Sequence, residues 1–162
     1  MIQELQKVIK RPKRDRCEDP ECMICNSEKG GNCRKSGIVY TIQCNKCKDS
    51  YFGETHRNGN SRSKEHYDAY HSKNKKLREE SIMWRHEDEK HGGEKVTFSM
   101  RVIKVFQNDA LGRQLLEAIL IRKQPAEQLI NNKREFIQPC DVQLEVERKR
   151  WSMKTKRRKI LQ

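Results

Sequence analysis

The sequence predicts an α+β domain: a small three-stranded antiparallel sheet flanked by helices, preceded by a segment that burial alone does not fold. Three observations lead there. The apolar pattern switches period in the order β–β–α–α–β–α. Only 33% of the 162 residues are hydrophobic and 36% are charged, which leaves too little for a large self-sufficient core. Seven Cys and five His then offer a bound metal as the further source of order.

Each element has its own signal. Residues 1–16 form a basic arm, in which Ile2, Leu5 and Ile9 are spaced for a short amphipathic helix that Pro12 stops. Such a helix is too short to stand alone, so it is the tail of an upstream region or docks on a partner. Residues 17–36 are Cys-rich, contain Gly30-Gly31 and hold almost no large apolar residue. The domain proper is expected over residues 37–140. GIVYTIQ, from Gly37, alternates and is rich in β-branched residues, so it reads as a strand; Ser50 to Gly53 forms a second across the CNKC turn. Residues 60–72 read as a helix with Arg62, His66 and Tyr70 on one face. Residues 75–90 read as one charged helix anchored by Ile82 and Met83 and ended by Gly92-Gly93. Residues 95–106 alternate as a third strand. Asn108 or Asp109 caps the next helix, ALGRQLLEAILIRKQ, and Pro125 ends it. Residues 126–140 read as loop and short turns. Residues 141–162 form a basic C-terminal tail: eight of the last 15 residues are Lys or Arg and none is acidic.

Charge narrows the partner. The formal net charge is +13 and the pI is about 9.6. An acidic metabolite is then a poor main partner, and nucleic acid a good one. No stretch approaches a membrane span: the longest apolar cluster, Leu115 to Ile121, is broken by Glu117. MIQELQKVIKRPKR has no apolar core or cleavage site, so no secretory signal is expected there and the protein is expected to be intracellular. An odd Cys count with CxxC pairs in that setting favours zinc over disulfides.

Cys44-Asn45-Lys46-Cys47 can aim two thiolates at one tetrahedral ion. Two groupings complete it. One adds His86 and His91, which leaves Cys17, Cys22, Cys25 and Cys33 to close a separate four-Cys site. The other adds Cys22 and Cys25, with 18 residues between Cys25 and Cys44 in zinc-ribbon spacing, and strands Cys17 and Cys33. The first wastes no ligand and is favoured. As a bare spacing, His86 and His91 also read as two surface residues on a polar helix. Cys140 has no partner in either scheme and reads as a plain thiol.

A second constellation suits phosphodiester hydrolysis. The strands of Tyr40 and Tyr51 pair across the CNKC turn, Arg62 and His66 follow on a helix, and Glu117 sits among Leu115, Leu116, Ala118 and Ile119. A carboxylate in an apolar helical segment must be paired, protonated or metal-bound. Mg²⁺ takes a carboxylate, waters and phosphate oxygens. A guanidinium stabilises charge on a transferring phosphate. A tyrosine can deprotonate water only if cationic neighbours lower its pKa from about 10. Singly, each of these residues reads as an ordinary strand aromatic, a solvated helix face or a turn residue.

Together they resemble a known family. Ile38-Val39-Tyr40, then Tyr51-Phe52-Gly53-Glu54-Thr55, Arg62, His66, Glu117 in EAILI and Asn131 in LINNK look like the GIY-YIG endonuclease motif, over about residues 37–135. The first tripeptide is IVY, with Gly37 one position early, and the second is YFG. The Cys pair between the tripeptides, with His86 and His91 downstream, resembles the endonuclease of Penelope-like retroelements, and supports the first zinc grouping. The resemblance implies a GIY-YIG-like fold. It implies Tyr40 as general base or water holder, Tyr51 at the scissile phosphate and Arg62 on the pentavalent phosphate. His66 would orient water or shuttle a proton. Glu117 would be the sole protein ligand of Mg²⁺ or Mn²⁺. Asn131 (or its neighbour Asn132) would bind phosphate or hold geometry, and Gly53 would let the backbone turn close to the site. It also implies a nuclear enzyme that nicks DNA so that the 3′ end primes reverse transcription. This chain is too short to hold a reverse transcriptase, so an upstream one in the same polypeptide, or element RNA, is an expected partner. The competing expectation is a non-catalytic zinc-stabilised nucleic-acid-binding module. A zinc-dependent ubiquitin ligase module fits poorly, for want of a further CxxC beyond Cys47.

Overall fold

The structure, a computed structural model, describes residues 17–27 and 31–131. The expected arm over 1–16, the basic tail over 141–162 and Cys140 lie outside the described residues. The elements are β1 (Ser36–Cys44), β2 (Ser50–Asn58), α1 (Gly59–Tyr70), α2 (Lys75–Glu79), α3 (Ile82–His91), β3 (Phe98–Val105) and α4 (Ala110–Lys123), with a 3₁₀ turn at Ala126–Gln128. The chain is α+β, with one antiparallel three-stranded sheet in the order β2-β1-β3 and helices against it.

Because β1 is the central strand, Ile38, Val39, Tyr40, Thr41 and Ile42 are all buried. The alternation read from GIVYTIQ therefore does not become a wet and a dry face. Gly37 adopts φ +65° at the register shift between Ser36 and Ile38, and Phe106 N–H donates to its carbonyl at 2.7 Å. A side chain there would collide with the backbone of Gln107. β2 is longer than expected, reaching Asn58, whose side chain caps α1 by accepting from Ser61 N–H at 2.8 Å. The helix expected over 75–90 is two: Ser81, buried, caps α3 with its own hydroxyl, which interrupts the run after Glu79. Asp109, not Asn108, caps α4.

The Cys-rich segment is part of this core, not an appended module. Cys22, Met23, Ile24 and Cys33 are buried in one cluster with Ile38, Tyr40, Ile42, Met83 and Met100. Met23 and Ile24 supply the apolar contacts by which this loop meets the sheet. Among the described residues no helix is long and apolar enough to cross a membrane.

Candidate active site and metal centres

Paired residues of an antiparallel ladder share a face. Tyr40 is opposite Gly53 and Ile42 opposite Tyr51, so both tyrosines lie on one face of the β1–β2 hairpin. Their ring centroids are 6.4 Å apart, and His66 meets them edge-on at 5.7 and 6.0 Å. The chain passes from β2 straight into α1, so Arg62 and His66, one turn apart, reach back over the hairpin. Arg62 Nε–H donates to the Tyr40 hydroxyl at 2.9 Å, and that hydroxyl lies 2.9 Å from His66 Nε2. With His66 neutral, the hydroxyl can give its single proton to Nε2 in the tautomer that carries the ring proton on Nδ1.

Electrostatics agree. Burial, and then the Arg62 charge, push His66 down to about 3. Burial, and then the neighbouring Tyr51, hold Tyr40 well above the usual tyrosine value; Arg62 opposes this and loses. Burial also raises Tyr51 against Arg62. The condition under which a tyrosine alone could deprotonate water, a pKa lowered by cationic neighbours, is not met here, because desolvation outweighs Arg62. Burial alone would lower Arg62, but Tyr40, Glu65 and Tyr51 keep it above its ordinary value. Glu65 also anchors the guanidinium at 2.8 Å. Tyr70, expected on the same face, turns elsewhere: its hydroxyl bonds the buried carboxylate of Glu87 and the Val96 carbonyl.

Glu117 is half-buried on α4 and is pushed up to about 7 by burial and then by the Glu54 charge, while the Glu54 backbone N–H and Arg62 pull the other way. Its apolar neighbours do not enclose it, because Leu115 and Ile119 point outward and are exposed. Glu54 is itself held by Arg113, whose Nε donates at 2.7 Å and whose Nη1 donates to the Gln107 carbonyl at 3.1 Å. Glu117 belongs to neither cluster of three or more metal-ligating groups found among the described residues. With Glu54 taken by Arg113, Glu117 is the carboxylate left to offer an oxygen to a hard cation such as Mg²⁺, which takes its other ligands from water and phosphate.

Asn131 spends both ends of its amide on the backbone of Phe52. Oδ1 accepts from Phe52 N–H and Nδ2 donates to the Phe52 carbonyl, each at 2.7 Å. Ile130 N–H adds a bond to the Ser50 carbonyl at 2.9 Å. Of the two roles expected for Asn131, these contacts serve the holding of β2. Asn132 lies outside the described residues. Gly53 does not turn the chain. It leaves the space over which the Tyr40 ring lies.

Two groups of side chains can hold a metal ion: Cys17, Cys22, Cys25 and Cys33, and Cys44, Cys47, His86 and His91, with the ligand atoms of each within 4.8 Å of one another. Cys25 Sγ is 3.5 Å from Cys17 Sγ and 3.3 Å from Cys33 Sγ. Cys44 Sγ is 3.5 Å from His91 Nε2, and Cys47 Sγ 3.3 Å from His86 Nε2. Ligand atoms around a tetrahedral zinc stand about 3.3–3.8 Å apart, so both donor sets fit that ion. Cys22 and Cys25 thus stand with Cys17 and Cys33, not with Cys44 and Cys47.

Three residues beside these sites were not singled out from the sequence. Arg113 lies four before Glu117, a spacing that signals a shared helix face, yet its partner is Glu54. Glu54 follows the YFG tripeptide directly. Ser63, between Arg62 and His66, is fully buried, and nothing local in the sequence announces it. No protein-family profile, curated protein or solved structure matches this chain.

Proposed function

We propose that the chain is a metal-dependent DNA endonuclease of the GIY-YIG type, similar to that of Penelope-like retroelements. It acts in the nucleus, nicking target DNA to expose a 3′ end for target-primed reverse transcription. The observation that carries this reading is the Tyr40 hydroxyl. It is held at 2.9 Å by Arg62 and at 2.9 Å by His66, beside Tyr51. This polar cluster is buried where a sheet of this size needs only apolar side chains.

The residues act as follows. Tyr40 receives a proton from the attacking water as its own proton passes to His66 Nε2, which becomes imidazolium. Tyrosinate never accumulates, so the raised Tyr40 pKa is no obstacle. His66 is depressed first by burial and then by Arg62; the scissile phosphate docks on Arg62, and its negative charge offsets the second of these. Tyr51 lines the phosphate's position. The water oxygen bonds to phosphorus as the P–O3′ bond breaks; the leaving 3′ oxygen takes a proton from solvent, and His66 returns its extra proton to solvent. Glu117 would hold Mg²⁺ or Mn²⁺, which when bound supplies Lewis-acid polarisation of a phosphate oxygen. Zinc in the two clusters is structural. The Lys and Arg of the terminal arms add phosphate contacts, each worth about 0.9 in the salt slope on B-DNA without reading sequence.

One observation favours a second reading, a non-catalytic zinc-stabilised nucleic-acid-binding module: burial disfavours the charged forms of Tyr40 and His66. Supercoiled-plasmid cleavage in Mg²⁺ by zinc-loaded protein, beside Glu117→Ala, decides. Conversion to open circle by the wild type alone, with both proteins binding DNA, supports the nuclease. Binding by both with no cleavage in Mg²⁺ or Mn²⁺ supports the module.

A further inference from the structure

The first turn of α1 carries amide N–H groups that no helical carbonyl can satisfy. Asn58 takes one. The others go to the Cys-rich loop, not to solvent. Gly59 N–H donates to the Lys35 carbonyl at 3.0 Å, and Asn60 N–H to the Cys33 carbonyl at 2.6 Å. The Asn60 side chain donates to Cys17 Sγ at 3.4 Å and to Asp19 Oδ2 at 3.1 Å. One turn on, the fully buried Ser63 hydroxyl accepts from Met23 N–H at 2.9 Å. Gly59 is part of the same fit, since a Cβ there would lie 2.9 Å from Ile24 Cδ1 and 3.1 Å from the Cys33 carbonyl. Cys17 and Cys33 are thus both metal-site side chains and partners of α1. Ser63 stands one residue after Arg62 and three before His66.

We propose that the loop of Cys17, Cys22, Cys25 and Cys33, ordered around a metal ion, positions helix α1 and through it Arg62 and His66, with Ser63 as the positioning residue that joins loop to helix. The proposal extends the nuclease reading, since it gives the four-Cys site a task in catalysis. The physical reason is economy of order. The loop has few apolar anchors beyond Met23 and Ile24, so its carbonyls and thiolates are fixed only when an ion gathers the four sulfurs. Once fixed, they satisfy the free end of the helix whose next turn carries the residues bound to Tyr40. Metal occupancy is thereby coupled to a catalytic geometry on another element.

The test uses the full chain loaded at both sites and compares it with Cys17→Ser/Cys25→Ser and with Ser63→Ala. The Cys double variant is expected to lose one zinc by metal analysis. Its α1 amides from Ser61 to His66 should exchange on the order of a hundredfold faster with deuterium, while β1 amides and the second zinc persist. Ser63→Ala should keep both metals, speed exchange at Met23 and in the first turns of α1 about fivefold, and lower kcat for DNA cleavage several-fold with KM unchanged. Loss of one zinc with α1 exchange unchanged overturns the proposal. So does Ser63→Ala with wild-type exchange and kcat. If the Cys variant unfolds throughout, with β1 exchanging as well, Ser63→Ala alone decides. If the wild type cuts no DNA, the nuclease reading falls, and the exchange measurements still judge the coupling of loop to helix.

Discussion

Gly53 stands opposite Tyr40 in the β1–β2 ladder, and a Cβ at position 53 would lie 2.6 Å from both the Tyr40 hydroxyl oxygen and the carbon that bears it. The missing side chain is the space that the ring occupies. Tyr40 cannot yield easily, because Arg62 and His66 hold its hydroxyl and it has no exposed surface. On the other flank the same Cβ would meet Tyr51 Cε1 at 2.9 Å. Gly53→Ala is therefore expected to destabilise the fold by about 2 kcal/mol, the usual cost of overpacking. It should cost cleavage at least about tenfold, since the displaced ring is the one that would meet the water in the proposed mechanism. Denaturant unfolding and plasmid nicking measure the two. A variant with wild-type values in both would mean that the ring does not depend on this space.

His66 sets a pH dependence whose sign follows from linkage. Its folded pKa is lowered from 6.5 to about 3, mainly by burial and further by Arg62. Between those values the unfolded chain binds a proton that the folded chain refuses, so stability rises with pH from about 3 to 6.5 and is level above. The shift amounts to a few kcal/mol at most. His66→Gln, which keeps a polar group beside Tyr40, should flatten this slope. The difference in unfolding free energy between wild type and variant is expected to change by roughly 2 kcal/mol between pH 5 and pH 7.5. Taking the difference cancels acid loss of zinc, which both proteins share. Parallel curves would show that His66 titrates normally and is not buried beside Arg62.

Much of this was legible in the sequence, and the limits have physical causes. Element order followed from apolar period, and Asn58, Ser81 and Asp109 are residue types that cap helices. Ser81 was nonetheless read through, because a polar residue inside a charged helical stretch has the same local pattern whether it caps or merely faces water. The approach of Arg62 and His66 to Tyr40 was readable only as a shared helix face; which strand residue they meet depends on register. The raised tyrosine and Glu117 values were out of reach, because desolvation belongs to the packed site. Arg113, Glu54 and Ser63 act through partners 59, 59 and 40 positions away, and no local window spans such distances.

The metal clusters predict additivity. Zinc-loaded protein should hold two zinc ions per chain, and Cys25→Ser and Cys44→Ser should each remove one. The double variant should then hold none. In the rival partition, where Cys22 and Cys25 share an ion with Cys44 and Cys47, each single variant and the double would lose the same ion. Metal content of the three variants after gel filtration distinguishes the outcomes. Chelation of both ions should cost most of the stability, because each ion would gather four side chains from distant stretches of chain, Cys17 to Cys33 in one site and Cys44, Cys47, His86 and His91 in the other.

Asn131 gives a prediction in which chemistry separates from shape. Its amide closes both the N–H and the carbonyl of Phe52, an edge pairing made by one side chain. Phe52 lies between Tyr51 and Gly53, so the clamp holds the stretch of β2 on which the Tyr40 ring and the Glu54 carboxylate depend. Asn131→Ala removes two hydrogen bonds from partly buried backbone and is expected to cost about 1–2 kcal/mol. Asn131→Asp keeps the size and the acceptor but turns a carboxylate oxygen toward the Phe52 carbonyl, so it should be at least as damaging. Were Asn131 chiefly a phosphate ligand, both variants would weaken DNA binding while leaving stability intact. As a clamp, both should lower the unfolding midpoint first, with cleavage falling and the KM for DNA little changed. Unfolding curves and steady-state kinetics on the same preparations separate these outcomes, and the Asp variant sharpens them, because its added negative charge would repel a phosphate directly.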